Sequence, residues 1–591
     1  MPPDKAKTKI SAWLWDACQV EAMQSLHHPW TLGLANGSTS GSSFKGYVAQ
    51  DAYFLKAFAK AYAHALTKVS DEEGIRAFHS LIGSVLDELT LHASYATKWG
   101  IDIHNVPPPV KATSEYVNFL LAVASDPASS VAQVLASMAP CMRLYAFLGK
   151  ELRQTFPSWQ ESAYAEWIET YSSQDFEEAA ALVESLLDRY SEDGEYSTLL
   201  LLYRKAMGLE YAFFAAQSVG GTAEGHQPLV AVGGKTDQEE GVADSARLAG
   251  VHERVALLCV DFDDTLTDGD TTSLLVKAAT EQRDTAVGRD ESARDWENLT
   301  TDFLNRSSEV IEEELDAKLK DAGSGGDRCG LVDREGLENL LRRLERVDLD
   351  SVEKVCKAQV LRGVTRQSVQ SSVSGPLRSS WKVRPGMGRC MSRALGSPFV
   401  THVVSVNWSR DVIGSILSEA LPANQGVGVL GDDIAVPTSS SDEILGSRVR
   451  QFQPIPVSSN DLVYDRHGVS TGEIDVRIPG SSGKHRRFRD LAAMAQETTA
   501  NSERTLTVFV GDSVTDLLAM LDADVGIVVG NSGTFARVAS AFGIPVRPLA
   551  AAYNALGDKE ALDGKRLADQ DPCVYRVSNW AEIDVFLFGD V

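Results

Sequence analysis

In the stretch LLCVDFDDTLTDGD, Leu257 to Asp270, the carboxylates Asp261, Asp263, Asp264 and Asp268 crowd together directly after an apolar run. Ionised side by side they repel one another, so the group must be either fully solvated or held with a cation. The preceding VALLCV has the length and branching of a buried strand, which argues against full solvation of the first acid. A metal site at the carboxyl end of a strand is the reading that follows. Asp261 and Asp263, two apart at the mouth of a sheet, have the types and spacing for the nucleophile and general acid of a phosphoryl transfer. Asp264 and Asp268 read as flanking residues.

The rest of such a site should follow other strands. Ser405, after THVV, could hydrogen-bond a transferring phosphoryl oxygen, and Lys484, in GSSGKHRRF, could neutralise its charge and that of the nucleophile. Lys382 or Arg486 could take the place of Lys484. Asp512 follows VFVG, and Asp516 lies one helical turn later. Mg²⁺ would satisfy these acids together. Taken singly, Ser405 also reads as a strand-end serine and Lys484 as a solvated lysine; the weight lies in their order along the chain.

A second set of reactive residues lies nearer the amino terminus: Asp51 in YVAQDAYFL, Cys141 in APCMRLYAFLG and Glu210 in RKAMGLEYAFF. Around them in sequence stand the aromatic residues Phe44, Tyr47, Tyr116, Tyr145, Trp167 and Tyr171. A thiol with a carboxylate pair and stacked rings could bind a flat heteroaromatic cation or a pyrimidine and attack it. The same residues, one by one, read as core.

The elements that must position these groups fall into two textures. From Ser11 to about Ser218, apolar residues recur at three- and four-residue spacing, which predicts an all-helical domain over 1–218. Residues 219–250, rich in glycine and charge, read as a linker. Over 251–591 the β-branched runs VALLCVDF, FVTHVVSV, GVGVLGDDIAV and LTVFVGDS alternate with helical stretches, which predicts a doubly wound α/β sheet. Between the first two runs, about residues 270–395, charged helical segments suggest an inserted cap, within which GVTRQSVQSSVSGPLRSS reads as a mobile loop.

Length calls for more than one core. A formal charge of −26 argues against non-specific nucleic-acid binding, and no apolar run is expected to span a membrane. Seven scattered cysteines without a CxxC pair fit a reducing compartment. The expected location is the cytoplasm, with a mitochondrion or plastid as the alternative. The triplets at Asn298, Asn305 and Asn407 that match glycosylation sequons are accordingly read as chance matches.

The ordered set DxDxT, Ser, Lys and GDSxxD resembles the haloacid-dehalogenase phosphohydrolase superfamily over about residues 255–591. That resemblance implies that Asp261 attacks phosphorus to form an aspartyl phosphate. It implies too that Asp263 protonates the leaving alcohol and later activates water. Mg²⁺ would be held by Asp261, the Asp263 main-chain carbonyl and Asp512, with Asp516 in support. Over about residues 10–218 the segments HHPWTLGLANG, FKGYVAQDAYFL, DELTLHASYATKWGI, APCMRLYAFLG, EWIETYSS and LEYAFF resemble the TenA (thiaminase II) family, a helical bundle of the haem-oxygenase-like kind. There the resemblance implies release of hydroxymethylpyrimidine from aminopyrimidines, with Cys141 as nucleophile, Asp51 orienting the ring and Glu210 handling the proton. Arg143, two residues past the cysteine, departs from the uncharged residues usual in bacterial members and bears on the substrate.

The pairing of the two halves resembles a plant-type bifunctional thiamin-salvage family, which implies thiamin monophosphate and aminopyrimidines as small-molecule substrates and a homo-oligomer built through the helical half. Two alternatives stay open. The helical half could be a non-catalytic ligand-binding or oligomerisation module. The phosphatase could act on another phosphomonoester.

Overall fold

A computed structural model describes residues 9–101, 108–217, 250–282, 286–322, 332–421, 429–430, 455–498, 505–552 and 572–589. The chain forms two compact units, Met1–Gly250 with Val585–Val591, and Val251–Asp584. The expected linker at 219–250 lies almost wholly outside the described residues.

Among the described residues the helical unit has ten α-helices, α1 (Ile10–Ala17), α2 (Gln19–His27), α3 (Pro29–Asn36), α4 (Gly41–Leu66), α5 (Glu72–Lys98), α6 (Lys111–Ser125), α7 (Val131–Thr155), α8 (Ala165–Tyr171), α9 (Gln174–Tyr190) and α10 (Tyr196–Ala215). Serines start three of them. The hydroxyls of Ser40, Ser130 and Ser173 accept from the main-chain N–H groups of Ser43, Gln133 and Phe176, which satisfies donors that the first helical turn leaves unpaired. α4 packs on α5 and α6, while α7 packs on α9 and α10.

Among the described residues, α7 is the one helix long and apolar enough, by length and composition alone, to cross a membrane. It is apolar because it is a core helix: 67 % of its most apolar window is buried. Pro140, inside α7, removes one intrahelical hydrogen bond at the turn that carries Cys141.

The second unit is an α/β fold. It begins with β1 (Val255–Val260), then runs α11 (Thr272–Glu281), α12 (Ala286–Ala322), α13 (Arg334–Ala358), α14 (Arg366–Ser374) and α15 (Met387–Leu395) before β2 (Val400–Val404) and α16 (Arg410–Ala420). After these come β3 (Val429–Leu430), β4 (Ile455–Ser458), β5 (Asp461–Tyr464), β6 (Ser470–Asp475), α17 (Ser481–Thr498), β7 (Leu506–Gly511) and α18 (Leu517–Asp522). The unit continues through β8 (Val525–Val529), α19 (Gly533–Ala541), β9 (Val546–Pro548) and β10 (Val574–Val577) into α20 (Trp580–Phe588).

Eight strands form one parallel sheet in the order β3-β4-β2-β1-β7-β8-β10-β9. β1 is buried along its whole length, as a strand covered on both faces must be, and its neighbours β2 and β7, both later in the chain, flank it on opposite sides. The strand order reverses there, and in such sheets the crevice beyond the carboxyl ends at the reversal is where ligands bind.

The serine-rich stretch expected to be a mobile loop is instead helical over α14. A reciprocal cap between Thr365 and Ser368 starts the helix, and Val369, Ser372 and Val373 are buried. α14 packs on α16 and α11, whereas α15 lies against β2. The antiparallel pair β5–β6 is joined to the segment before α14 by main-chain hydrogen bonds between Gly363 and Ser470 and between Ser470 and Val364. Of GVGVLGDDIAV only the two residues of β3 are described.

Candidate active sites

At the carboxyl ends of β1, β2 and β7 the sheet delivers three polar side chains. Asp261 extends the β1 ladder by donating its N–H to Val510 O at 2.9 Å, and Ser405 does the same to Ser458 O at 2.9 Å. Both are buried. Lys484 reaches Asp261 from the first turn of α17, with Nζ 2.9 Å from Asp261 Oδ2 and 2.9 Å from Asp516 Oδ1. At 2 % exposure it is a buried ammonium between two carboxylates, while Lys382 and Arg486 are exposed. Burial alone would lower its pKa, but Asp261 and Asp516 outweigh burial and keep it protonated.

Asp516 folds back over the loop after β7. Its Oδ2 accepts from the N–H and hydroxyl of Ser513 at 3.2 and 2.9 Å. A Cβ on Gly511 would stand 2.6 Å from that carboxylate, so only glycine leaves room for it. Asp512 accepts from Thr265 Oγ1 at 3.0 Å. One oxygen from each of Asp261, Asp512 and Asp516 lies within 4.8 Å of the others.

These residues fit a hard divalent cation. The donors are all carboxylate oxygens, and Asp261 Oδ1 is buried with no hydrogen-bond partner among the described residues. Burial, then the charges of Asp516 and Asp512, raise the Asp261 pKa against the pull of Lys484. Burial and Asp516 push Asp512 up to about 7. Both shifts mark negative charge in want of a counter-ion.

The Asp263 carboxylate stands outside this group. Its Oδ1 accepts from the N–H and hydroxyl of Thr271 at 2.7 and 2.6 Å, and its Oδ2 from Asn407 Nδ2 at 2.9 Å. Burial and nearby Asp270 raise its pKa to about 6, with the Thr271 and Asn407 bonds opposing. The turn that separates it from Asp261 runs on through Asp264, whose φ of +55° is unusual for a non-glycine residue, and Arg384 Nε fixes that turn by donating to Asp264 O at 2.6 Å. Thr265 is the threonine of the DxDxT motif, whereas Asn407, Thr271 and Arg384 had no signal in the sequence. Asn407 stood in it only as part of a sequon.

In the helical unit, α4, α6, α7, α8 and α10 converge on a second group. Glu210, 1 % exposed, accepts from Tyr116 OH at 2.7 Å and is hydrogen-bonded to Cys141. Burial pushes Glu210 up to about 8 and Asp51 up to about 7. Burial, then the charges of Glu210, Glu88 and Asp51, raise the Cys141 thiol as well, so the thiol is protonated at rest. Trp167 Nε1 donates to Tyr47 OH at 3.2 Å, and Tyr47 lies 3.5 Å from Tyr145 OH. Tyr171 donates to Glu88 Oε1 at 3.1 Å and stacks edge-on to Tyr145 at 4.8 Å. Phe44 backs Tyr47, with its ring also against Trp99 and Tyr164. Glu88, on α5, was not found from sequence. Arg143 turns away to α9, where it pairs with Glu184 and Glu177 at 2.7 and 2.8 Å, so its charge is met within the fold.

The raised pKa of Glu210 has a consequence for stability. Unfolded, the group binds a proton with its ordinary pKa; folded, it holds that proton up to about 8. The folded state therefore carries more protons across that interval, and stability falls as pH rises through it, by about 1.4 kcal/mol for every pH unit crossed. Glu210→Gln should melt about 5 °C or more above the parent at pH 9 and within about 2 °C of it at pH 4.5. Equal differences at both pH values in calorimetric melts would show that Glu210 is not held protonated.

Residues 15–219 match the TENA/THI-4/PQQC family model. Across 99 % of its length the chain is 27 % identical to the mitochondrial bifunctional TH2 protein of Arabidopsis thaliana, of which 90 % is covered. An aminopyrimidine aminohydrolase of Halalkalibacterium halodurans is 28 % identical over 30 % of this chain and 80 % of its own. Among solved structures, a phosphoserine phosphatase in apo form is 12 % identical with a TM-score of 0.25, covering 48 % of this chain and 90 % of that one. Over residues 15–219 the chain is thus similar to the TENA/THI-4/PQQC family, and along nearly its whole length it is similar to the plant bifunctional TH2 protein.

Proposed function

We propose that the chain is a bifunctional enzyme of thiamin metabolism, hydrolysing thiamin monophosphate to thiamin at the α/β site and aminopyrimidine breakdown products to hydroxymethylpyrimidine at the helical site. The observation that carries the first activity is the unpartnered Asp261 Oδ1, buried beside Lys484 and facing Asp512. It is a carboxylate oxygen free to form a bond. Likeness to the TH2 protein over nearly the whole chain supports the combination.

Asp261 Oδ1 attacks phosphorus while the bond from phosphorus to the leaving oxygen breaks. Asp263, a carboxyl with a raised pKa, donates its proton to the departing alcohol. Asp263 then takes a proton from the water that attacks the aspartyl phosphate, freeing inorganic phosphate and restoring Asp261. The Ser405 hydroxyl and Lys484 stabilise the charge on the transferring group. Mg²⁺, held by Asp261, the Asp263 main-chain carbonyl and Asp512, would supply neutralisation of the phosphate. In the helical site, Glu210 takes the Cys141 proton, the thiolate adds to the pyrimidine held by Asp51 and the tyrosines, and Glu210 passes the proton to the amine as its bond to carbon breaks; water then supplies the hydroxyl, the carbon–sulfur bond breaks and the thiol regains its proton. Self-association through the helical domain belongs to this reading; Leu201, 71 % exposed on α10, is the kind of residue such a contact covers.

A phosphate-release screen of the full chain against thiamin monophosphate, thiamin diphosphate and aliphatic phosphomonoesters tests the first activity, and a poor rate with the monophosphate overturns it. Mg²⁺ titrations test the metal assignment. Asp512→Ala should raise the Mg²⁺ concentration for half-maximal turnover by about tenfold or more, with partial rescue at high Mg²⁺. Asp516→Ala should shift it less, because both Asp516 oxygens already accept from Lys484 and Ser513. Unchanged metal dependence in Asp512→Ala would refute the assignment.

A further inference from the structure

The loop after β2 carries more than Ser405. Asn407 N donates to Ser405 Oγ at 3.1 Å, and Ser409 N donates to Asn407 Oδ1 at 3.0 Å. Ser409 in turn caps α16. Ser405, Asn407 and Ser409 are buried, yet Trp408 between them is only half-buried. A loop fixed at alternate positions thus holds a large ring outward. Trp296, also half-buried, meets it from α12, edge to face at 86° with centroids 6.2 Å apart.

The position relative to the acid gives the pair a meaning. Asp263 hands its proton to the leaving group, so the leaving group lies on the Asp263 side of the phosphorus. That side is furnished by Asn407, which bonds Asp263 and directly precedes Trp408, and by exposed Asp270, next to the Thr271 whose N–H and hydroxyl bond Asp263. Aromatic rings and a solvent-facing carboxylate each attract a flat cation, the first through the ring quadrupole and the second through charge. An aliphatic leaving group would gain little from either.

We propose that Trp296 and Trp408 are specificity residues of the phosphatase site that grip a flat, cationic leaving group; this rests on the thiamin monophosphate reading and deepens it. The test is kcat/KM of the full chain on thiamin monophosphate, on 4-nitrophenyl phosphate, which is flat but uncharged in its leaving group, and on glycerol 2-phosphate. Trp296→Leu and Trp408→Leu should each lower kcat/KM for thiamin monophosphate about 10- to 30-fold, mainly through KM, as expected for loss of a desolvated cation–aromatic contact. The loss on 4-nitrophenyl phosphate should be smaller, and glycerol 2-phosphate should change less than about twofold. Trp408→Phe should recover most of the rate.

Equal losses on all three esters, or an unchanged preference, would overturn the assignment while leaving the function in place. Equal losses on the two aromatic esters would overturn recognition of the cation. A parent enzyme without preference for thiamin monophosphate over glycerol 2-phosphate would fell the function itself, and this inference with it.

Discussion

Asp261→Asn is expected to lower phosphate release by about three orders of magnitude or more while leaving hydrolysis of aminopyrimidines within about twofold of the parent. An amide oxygen is a poor nucleophile toward phosphorus, and the substitution also takes away the charge that Lys484 meets at 2.9 Å. The size of Asn matches that of Asp, so the buried position is not forced to repack. The second activity is spared because Cys141 and Glu210 belong to a different compact unit from Asp261. Phosphate release and pyrimidine release measured on one preparation decide the matter. Loss of both in a folded protein would refute two separate sites.

Cys141→Ser should lower pyrimidine release by about two to three orders of magnitude, with substrate binding retained and phosphate release unchanged. The hydroxyl keeps the hydrogen bond to Glu210 but is far harder to ionise than the thiol. The parent enzyme carries a pH signature of the same pair. Only deprotonated Glu210 can accept the thiol proton, so turnover should rise with pH toward about 8 and level off above it. Steady-state rates from pH 6 to 9.5, with binding followed in parallel, check both statements. Tight binding by the parent without turnover at any pH would favour a ligand-binding module instead.

What could be read from the bare chain depended on how local each signal was. Asp261, Ser405 and Asp512 each end a run of apolar residues, and a buried parallel strand is such a run, so the point at which a polar group emerges from the sheet was legible. Lys484 was less so, because nothing in GSSGKHRRF says that Lys484 rather than Arg486 turns inward; the packing of α17 on β1 and β2 decides it. Asn407 and Thr271 hold Asp263 from positions 144 and 8 residues away, by bonds no periodicity announces. The strands β4, β8, β9 and β10 are too short, or too close to a glycine or proline, to stand out from their surroundings. The serine-rich run misled because its composition suggests solvent, whereas its three-residue cap spacing and buried valines make α14. In the helical half, Tyr116 and Glu210 stand 94 residues apart and meet only through the packing of α6 on α10.

β1 has a history that its place in the sheet imposes. Its partner β2 is made about 140 residues later, and its partner β7 about 250 residues later. During synthesis at about 5–20 residues per second, VALLCV therefore waits several seconds without its first partner and longer for its second. The helical half is synthesised before β1 and can form meanwhile. The segment that delivers Asp261 is thus a fully apolar strand with both edges bare until the last third of the chain emerges, a window in which pairing with another nascent copy competes with correct closure. The same central placement that gathers three loops around Asp261 leaves this strand the longest unpaired during synthesis.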